Sequence, residues 1–138
     1  MSDKFFLDTN ILIYAFTEQD ARRKNRSRQL HELAIGGQGI ISFQVVQEFL
    51  NAAQKKFPAR FTEPDLREFL DHELWPLCAV FPSRELYQQA ITLRSETGFS
   101  FYDSLIVAAA LAGGCPTLYS ADLPAGRKIH GLEIKNPF

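Results

Sequence analysis

The sequence lacks the charge excess and the long apolar runs that mark several protein classes. Its 15 Lys and Arg stand against 16 Asp and Glu, and the net charge of -1 argues neither for nor against nucleic-acid binding. No apolar run reaches the roughly 20 residues that a membrane helix needs, and the N-terminus shows no signal-peptide pattern. We therefore predict a cytoplasmic protein without a membrane role, folded as one domain over residues 1–138.

Cysteine and histidine are also sparse, which argues against common metal and redox sites. Cys78 and Cys115 lie far apart in apolar surroundings without CxxC spacing, and they predict buried thiols in a reducing compartment. The 3 histidines, His31, His72 and His130, have no paired spacing of the kind that binds zinc. Neither residue type predicts a metal site or a disulfide.

Short apolar runs alternate with longer segments of helical periodicity. The runs predict strands at 5–7, 39–42, 77–81 and 117–120, and a final edge strand at 131–138 that stops at Pro137. The periodic segments predict helices at 18–35, 43–57, 62–74, 83–97 and 99–112, and the last is apolar all round from Leu105 and should be buried. This alternation predicts an α/β, three-layer fold with a central, mostly parallel sheet of about four to five strands flanked by helices.

Acidic residues lie at the ends of several predicted elements. Asp8 and Asp122 follow strands, whereas Asp103 lies in the first turn of a helix. Glu48 lies about two turns into the helix that follows the second strand. Each has an ordinary structural explanation: a helix cap for Asp8, a turn for Asp122, a solvent-facing position for Glu48 and a capping box with Ser100 for Asp103. Because strand C-termini and helix N-termini share one rim of a parallel sheet, the four side chains are also expected to meet there.

Carboxylates gathered on one rim predict a bound cation. They repel each other, and some would have to protonate unless a positive ion neutralises them. Oxygen ligands without His or Cys suit Mg²⁺, or Mn²⁺, rather than Zn²⁺. Such an ion would activate a water and polarise a phosphoryl oxygen. The predicted chemistry is metal-dependent hydrolysis of a phosphodiester bond.

The motifs around these acids resemble those of the PIN domain family. They are Asp8-Thr9-Asn10 after an apolar strand, Ser42-Phe-Gln-Val-Val-Gln-Glu48, Tyr102-Asp103-Ser104 and Ser120-Ala-Asp122. The ending Asp-Leu-x-x-Gly…Gly-Leu-x-Ile-x-Asn-Pro-Phe resembles, more narrowly, the VapC toxins of bacterial VapBC toxin–antitoxin pairs. The resemblance implies a Mg²⁺-dependent endoribonuclease toxin that is commonly a homodimer, acts on RNA and is blocked by a cognate antitoxin.

The resemblance also implies a role for each matched residue. Asp8 and Asp103 would be the principal metal ligands, and Glu48 and Asp122 would complete the catalytic cluster. Three further side chains would not bind the metal themselves but would orient these ligands, or a bound water, through hydrogen bonds. That group comprises Asn10, Ser120 and Thr9.

A local basic surface is expected to bind RNA despite the balanced net charge. Phosphate contacts need clustered Lys and Arg, and two helices carry such clusters. The alternative for both clusters is a solvated helix face. The candidate RNA-binding residues are Arg22, Arg23, Lys24, Arg26, Lys55 and Lys56.

Two other classes of function remain open from the residues. One is a catalytically inactive PIN module that binds RNA or protein, although the intact acids count against it. The other is an aspartyl-phosphate phosphotransfer protein with Asp8 as the nucleophile. A phosphatase of that kind needs a second Asp where this chain has Asn10, and a receiver needs an acceptor Asp where this chain has Phe81-Pro82-Ser83.

Overall fold

The structure is a computed structural model that describes residues 4–138. Residues 1–3, on which the prediction about an N-terminal leader falls, lie outside this description. The strands are β1 Phe5–Leu7, β2 Gly39–Ser42, β3 Cys78–Val80, β4 Thr117–Tyr119, β5 Lys128–Ile129 and β6 Leu132–Lys135. The main helices are α1 Thr9–Tyr14, α2 Ala21–Leu33, α3 Phe43–Lys56, α4 Glu63–Phe69, α5 Arg84–Thr97 and α6 Phe101–Ala112. None of the helices in the described range is long and apolar enough to cross a membrane.

Six strands of the described chain form one sheet in the order β3-β2-β1-β4-β6-β5. Pairing is parallel from β3 through to β6, and only β5 pairs antiparallel, with β6. The α/β fold and the mostly parallel sheet are thus confirmed. The central position of β1 matters for function, because it brings the end of β1 beside the ends of both β2 and β4.

The strand count and the position of the last strand were predicted wrongly. The sheet has six strands rather than four to five, and β6 lies between β4 and β5 instead of at the edge. The turn between β5 and β6 is His130-Gly131, with φ of 49° and 87°, a left-handed pair that suits a tight hairpin. A strand of 2 residues is too short to show periodicity, and His-Gly is not a usual hairpin signal, so the sequence did not indicate β5.

Two predicted helices also differ in the structure. The helix expected over 18–35 begins at Ala21 and ends at Leu33, after which the π-helical turn Ala34–Gln38 leads into β2. The helix expected over 62–74 is α4 followed by the π-helical turn Leu70–Leu74. Leu70 and Leu74 keep the i,i+4 spacing of a helix, so periodicity does not reveal the change of backbone winding there. In the first turn, Gly37 has a φ of 103°, which ends the helical winding before β2.

The core lies around β1 and β2, whose residues are all buried. Helix α6 is buried from Ser104 to Ala110, as its apolar sequence predicted. Gly39 permits the close packing of β2, since a Cβ there would lie 2.5 Å from Cε1 of Phe5 and 2.7 Å from Cβ of Ala34. This dense centre fixes the strand ends from which the acidic side chains project.

Both cysteines are free thiols. Cys115 is buried, and burial raises the pKa of its thiol to about 11. Cys78 is half-buried, which also raises its pKa. The expectation of unpaired thiols in apolar surroundings is confirmed, with Cys78 less enclosed than predicted.

Candidate active site

Asp8 lies where β1 ends and α1 begins, and its residue is only 8% exposed. Its backbone N–H donates to the carbonyl of Tyr119 at 3.0 Å, which ties the ends of β1 and β4 together. Its Oδ1 accepts the backbone N–H of Thr9 at 2.8 Å, so Asp8 is also the N-cap of α1. The helix-cap explanation for Asp8 is therefore correct, and the same side chain also lines the cleft described below.

The second oxygen of Asp8 is held by two side chains. Oδ2 accepts the hydroxyl of Ser120 at 2.8 Å and the amide of Asn10 at 3.3 Å. Burial raises the pKa of the Asp8 carboxyl to about 6, the bonds from Ser120 and Thr9 lower it, and the nearby charges of Glu48 and Asp122 raise it. Ionisation of Asp8 therefore costs free energy in this environment unless a cation lies beside the carboxylate.

Thr9 and Asn10 join Asp8 to two of the other acids. The Thr9 hydroxyl donates to Oε1 of Glu48 at 2.6 Å. The Asn10 amide nitrogen donates to Oδ2 of Asp122 at 2.9 Å, and the Asn10 Oδ1 accepts the backbone N–H of Ala121 at 3.0 Å. Because that backbone N–H can only donate, it fixes which way the Asn10 amide points.

Ser120 holds the loop that carries Asp122. It follows β4 and is fully buried. While its hydroxyl donates to Asp8, the same oxygen accepts the backbone N–H groups of Asp122 and Leu123, each at 3.1 Å. This arrangement is a serine turn that binds the Asp122 loop to the end of β1.

Gln44 belongs to the same network, although no role was predicted for it from the sequence. It lies one helical turn before Glu48 on α3, and its Nε2 donates to Oε2 of Glu48 at 3.3 Å. The same nitrogen donates to the carbonyl of Tyr102 at 3.1 Å, at the start of α6. The i,i+4 spacing of Gln44 and Glu48 was a signal that could have found it.

Asp103 is exposed, and it is the least constrained of the predicted metal ligands. Its backbone N–H donates to the hydroxyl of Ser100 at 3.1 Å, which caps α6. Within residues 4–138, its carboxylate accepts no hydrogen bond and forms no ion pair. The expected capping box is therefore only half formed, and the Asp103 carboxylate is available for a ligand.

All the predicted acids line one cleft of about 670 Å³, which we call the acidic cleft. Thr9 and Asn10 line it as well, together with Tyr14 and Lys56. Among the described residues, no Lys or Arg forms an ion pair with any of the four acids. Their negative charges therefore lack an ion-pair partner within residues 4–138. The acids are Asp8, Glu48, Asp103 and Asp122.

The donor set fits a hard divalent cation, whereas the side-chain placement is not that of a complete metal site. Oxygen donors and uncompensated charge are what Mg²⁺ and Mn²⁺ require. As placed in the part of the chain described, however, no three His, Cys, Asp or Glu side chains form a group that could hold a metal ion. Hydrogen bonds from Thr9, Gln44 and Asn10 hold Glu48 and Asp122 individually.

Most of the predicted RNA-binding residues on α2 already have partners within the chain. The Arg23 guanidinium lies over the rings of Tyr14 and Phe138 at 5.1 and 5.2 Å and pairs with Asp20. Lys24 pairs with Glu18 at 2.8 Å. Arg26 donates to Gln29 at 2.8 Å and to the carbonyl of Pro137. Arg22 and Lys55 are exposed, and only Lys56 of the predicted set lines the acidic cleft.

A family model supports what the site geometry suggests. Residues 5–124 match the PIN domain, a range that contains every acid of the acidic cleft. The chain belongs to the PIN domain family. Strands β5 and β6, which form the C-terminal hairpin, both lie beyond the matched range of this PIN domain. The resemblance to the PIN domain family that was inferred from the motifs is confirmed.

Solved structures of low sequence identity share the fold of this PIN domain. A toxin–antitoxin complex from Klebsiella pneumoniae is 21% identical, with a TM-score of 0.72 over 98% of both chains. VapBC2 from Rickettsia felis, bound to a promoter DNA fragment, is 23% identical, with a TM-score of 0.65 over 96% of this chain and 97% of the other. VapC20 from Mycobacterium tuberculosis, a toxin that cleaves the sarcin-ricin loop, is 17% identical, with a TM-score of 0.59 over 86% and 90%. At these identities the likeness shows the fold alone. No curated protein matches the sequence.

Proposed function

We propose that this PIN domain is a Mg²⁺-dependent endoribonuclease and the toxin of a type II toxin–antitoxin pair. The observation that carries the proposal is the meeting of Asp8, Glu48, Asp103 and Asp122 in one cleft, where no Lys or Arg of the described part of the chain pairs with them. Further support comes from the VapC and toxin–antitoxin structures that share the fold, among them VapC20, a toxin that cleaves the sarcin-ricin loop. The C-terminal motif of the VapC type agrees with this assignment.

Asp8 and Asp103 would hold the ion, and Glu48 and Asp122 would complete its negative surroundings. When bound, Mg²⁺ (or Mn²⁺) supplies the positive charge that polarises a phosphate and lowers the pKa of a water. Ser120 and Thr9 fix both oxygens of Asp8, while Asn10 holds Asp122 beside it. Asp103 is the side chain freest to turn, because its carboxylate accepts no hydrogen bond within the described residues.

Lys56 is the residue we assign to the RNA backbone. It lies at the end of α3 and lines the acidic cleft together with the acids. Its ammonium group can therefore contact a phosphate next to the one that is cut, and such contacts position an RNA without reading its bases. Arg22 is the exposed member of the α2 cluster and could extend this contact.

The proposed function also requires protein partners. A cognate antitoxin would cover the acidic cleft, and a second copy of the chain would form a homodimer. Helix α5 exposes Tyr87 and Ile91, the latter at 61%, which gives a second copy an apolar surface to bury. Sedimentation of the purified protein tests the dimer. Co-purification with the product of an adjacent short reading frame tests the antitoxin.

The activity is tested by incubating the purified protein with total cellular RNA. We expect fragments in Mg²⁺ or Mn²⁺ and intact RNA when EDTA is in excess. The fragments should carry 5′-phosphate and 3′-hydroxyl ends, as the family resemblance implies. Cleavage that continues in EDTA would contradict the metal-dependent mechanism. Binding of RNA without any cleavage would favour the catalytically inactive PIN module.

A further inference from the structure

We infer that Gln44 is a positioning residue that fixes the Glu48 carboxylate relative to the start of α6, where Asp103 lies. The inference rests on the proposed function of the acidic cleft. It extends that function, because Gln44 lies inside the matched motif Ser42–Glu48 but has no role among those that the resemblance implies.

The amide of Gln44 bridges two elements that carry different acids. Its Nε2 donates to Oε2 of Glu48 at 3.3 Å on α3 and to the carbonyl of Tyr102 at 3.1 Å on α6. Both partners can only accept, so the nitrogen, and not the oxygen, must face them. Asp103 follows Tyr102 directly, and the bridge therefore sets the spacing between the backbone of Asp103 and the side chain of Glu48.

The burial of Gln44 indicates that the amide is not there for packing. The residue is 4% exposed and is one of the buried residues of α3, on the same side of the helix as Glu48. Its Oε1 is buried and has no hydrogen-bond partner among the described residues. A buried acceptor without a partner lowers stability, and a native chain that retains one calls for an explanation. The explanation lies in Nε2 of the same amide, whose two hydrogen bonds require Gln44 at this position.

Glu48 is consequently held from both sides. Thr9 donates to Oε1 and Gln44 donates to Oε2, so each carboxylate oxygen has one protein donor. Removing the donor from Gln44 leaves Glu48 fixed at one oxygen only, free to rotate about its outer torsions. A carboxylate that must first be ordered binds a cation more weakly, because the ordering entropy is lost on binding.

The test compares Gln44→Met with Gln54→Met. Methionine keeps the length of the side chain and removes the amide. Gln54 is a matched control, because it lies on the same helix and its Nε2 donates only to the carbonyl of Leu50, on an exposed surface outside the acidic cleft. The readout is the dissociation constant for Mn²⁺ followed by electron paramagnetic resonance, together with the thermal midpoint of each protein.

We expect Gln44→Met to weaken Mn²⁺ binding tenfold or more, as is typical when a partner of a metal ligand is lost. Gln54→Met should bind Mn²⁺ like the wild type. In a Glu48→Gln background, Gln44→Met should have no further effect, because its influence passes through Glu48. Unchanged Mn²⁺ affinity in Gln44→Met, or an equal loss in the Glu48→Gln background, overturns the inference.

Two further comparisons keep the test decisive. If Gln44→Met does not fold, Gln44→Asn keeps a polar amide that is one methylene too short for both contacts and should weaken Mn²⁺ binding in the same way. A wild type that binds Mn²⁺ but cleaves no RNA refutes the proposed function. The role of Gln44 is tested even then, because it is measured by Mn²⁺ affinity. A wild type that binds no Mn²⁺ refutes both.

Discussion

The hydroxyl of Thr9 donates a hydrogen bond of 2.6 Å to Oε1 of Glu48, a residue 39 positions later in the chain. This bond connects the junction of β1 and α1 to the second turn of α3. Since Thr9 also donates its backbone N–H to Asp8, one residue holds two acids of the acidic cleft. The geometry of the cluster depends as much on such neutral side chains as on the acids themselves.

Thr9→Val removes the hydroxyl and keeps the branched shape and the backbone N–H. We expect RNA cleavage to fall by about 10–100-fold, since Glu48 loses one of its two donors. The free energy of unfolding should fall by about 1 kcal/mol. Thr92→Val is the control, because the Thr92 hydroxyl bonds only to the carbonyl of Gln88 on an exposed helix face. Equal cleavage rates in the two variants would show that the Thr9 hydroxyl has no part in the site.

Ser120→Ala should destabilise the protein and distort the loop of Asp122. Its fully buried hydroxyl is donor to Asp8 and acceptor for two backbone N–H groups. We expect a loss of about 1–3 kcal/mol in the free energy of unfolding, measured by urea denaturation. Ser95→Ala, at an exposed position of α5, should change it by less than about 0.5 kcal/mol. A loss in Ser120→Ala no greater than in Ser95→Ala would contradict the proposed linkage.

The titration of Asp8 should appear in the pH dependence of stability. Burial raises the pKa of this carboxyl from 3.8 to about 6, so between these values the folded protein holds a proton that the unfolded chain releases. The contribution of Asp8 to stability is therefore largest below pH 4 and decreases as the pH rises towards 6. Without metal, the wild type should lose roughly 2 kcal/mol more than Asp8→Asn between about pH 4.5 and 7.5.

This pH dependence is measured by urea denaturation of both proteins in EDTA. Asp8→Asn cannot titrate at this position, and the difference between the two proteins isolates Asp8 from the other carboxyls. Identical changes in the two proteins over this pH range would mean that Asp8 ionises in the fold as readily as in the unfolded chain.

Lys56 and Lys55 should differ in their effect on RNA binding. They are adjacent and exposed at the end of α3, and only Lys56 lines the acidic cleft. In an Asp8→Asn background, which prevents cutting, Lys56→Ala should weaken binding and reduce the salt slope of log K by about 1. Lys55→Ala should leave both nearly unchanged. Filter binding at several salt concentrations gives the comparison, and equal slopes in the two variants would exclude the assigned contact.

The position of the acids at the rim of the sheet could be predicted, because the sequence signals for it are local. Phe5 to Leu7 is an apolar run that stops at an acid, and Ser120 and Asp122 follow a second such run. In a parallel sheet these facts are enough to bring the acids to one edge. The order of the strands, and with it the central place of β1, could not be predicted in this way, because it depends on pairing between distant segments.

The parts that sequence reasoning missed depend on contacts between distant residues. The partners of Arg23 and Arg26 include Phe138 and Pro137, at the other end of the sequence, so a basic run that looked free is largely occupied. Gln44 was passed over because its second partner is a backbone carbonyl 58 residues away. The hairpin of β5 depends on His130 in a left-handed conformation, which few residue types other than glycine adopt.

The most direct test of the account measures RNA cleavage in Mg²⁺ by Asp8→Asn and Asp103→Asn, beside the control Asp71→Asn. Asp71 is an exposed acid outside the acidic cleft, and the same change there alters the net charge equally. We predict that the first two lose at least about a hundredfold in rate, more than is typical for the partners of metal ligands, while Asp71→Asn cleaves like the wild type. All three should keep cooperative thermal unfolding, since the change conserves side-chain volume. Wild-type cleavage by folded Asp8→Asn or Asp103→Asn would contradict the claim that these two carboxylates hold the ion on which the reaction depends.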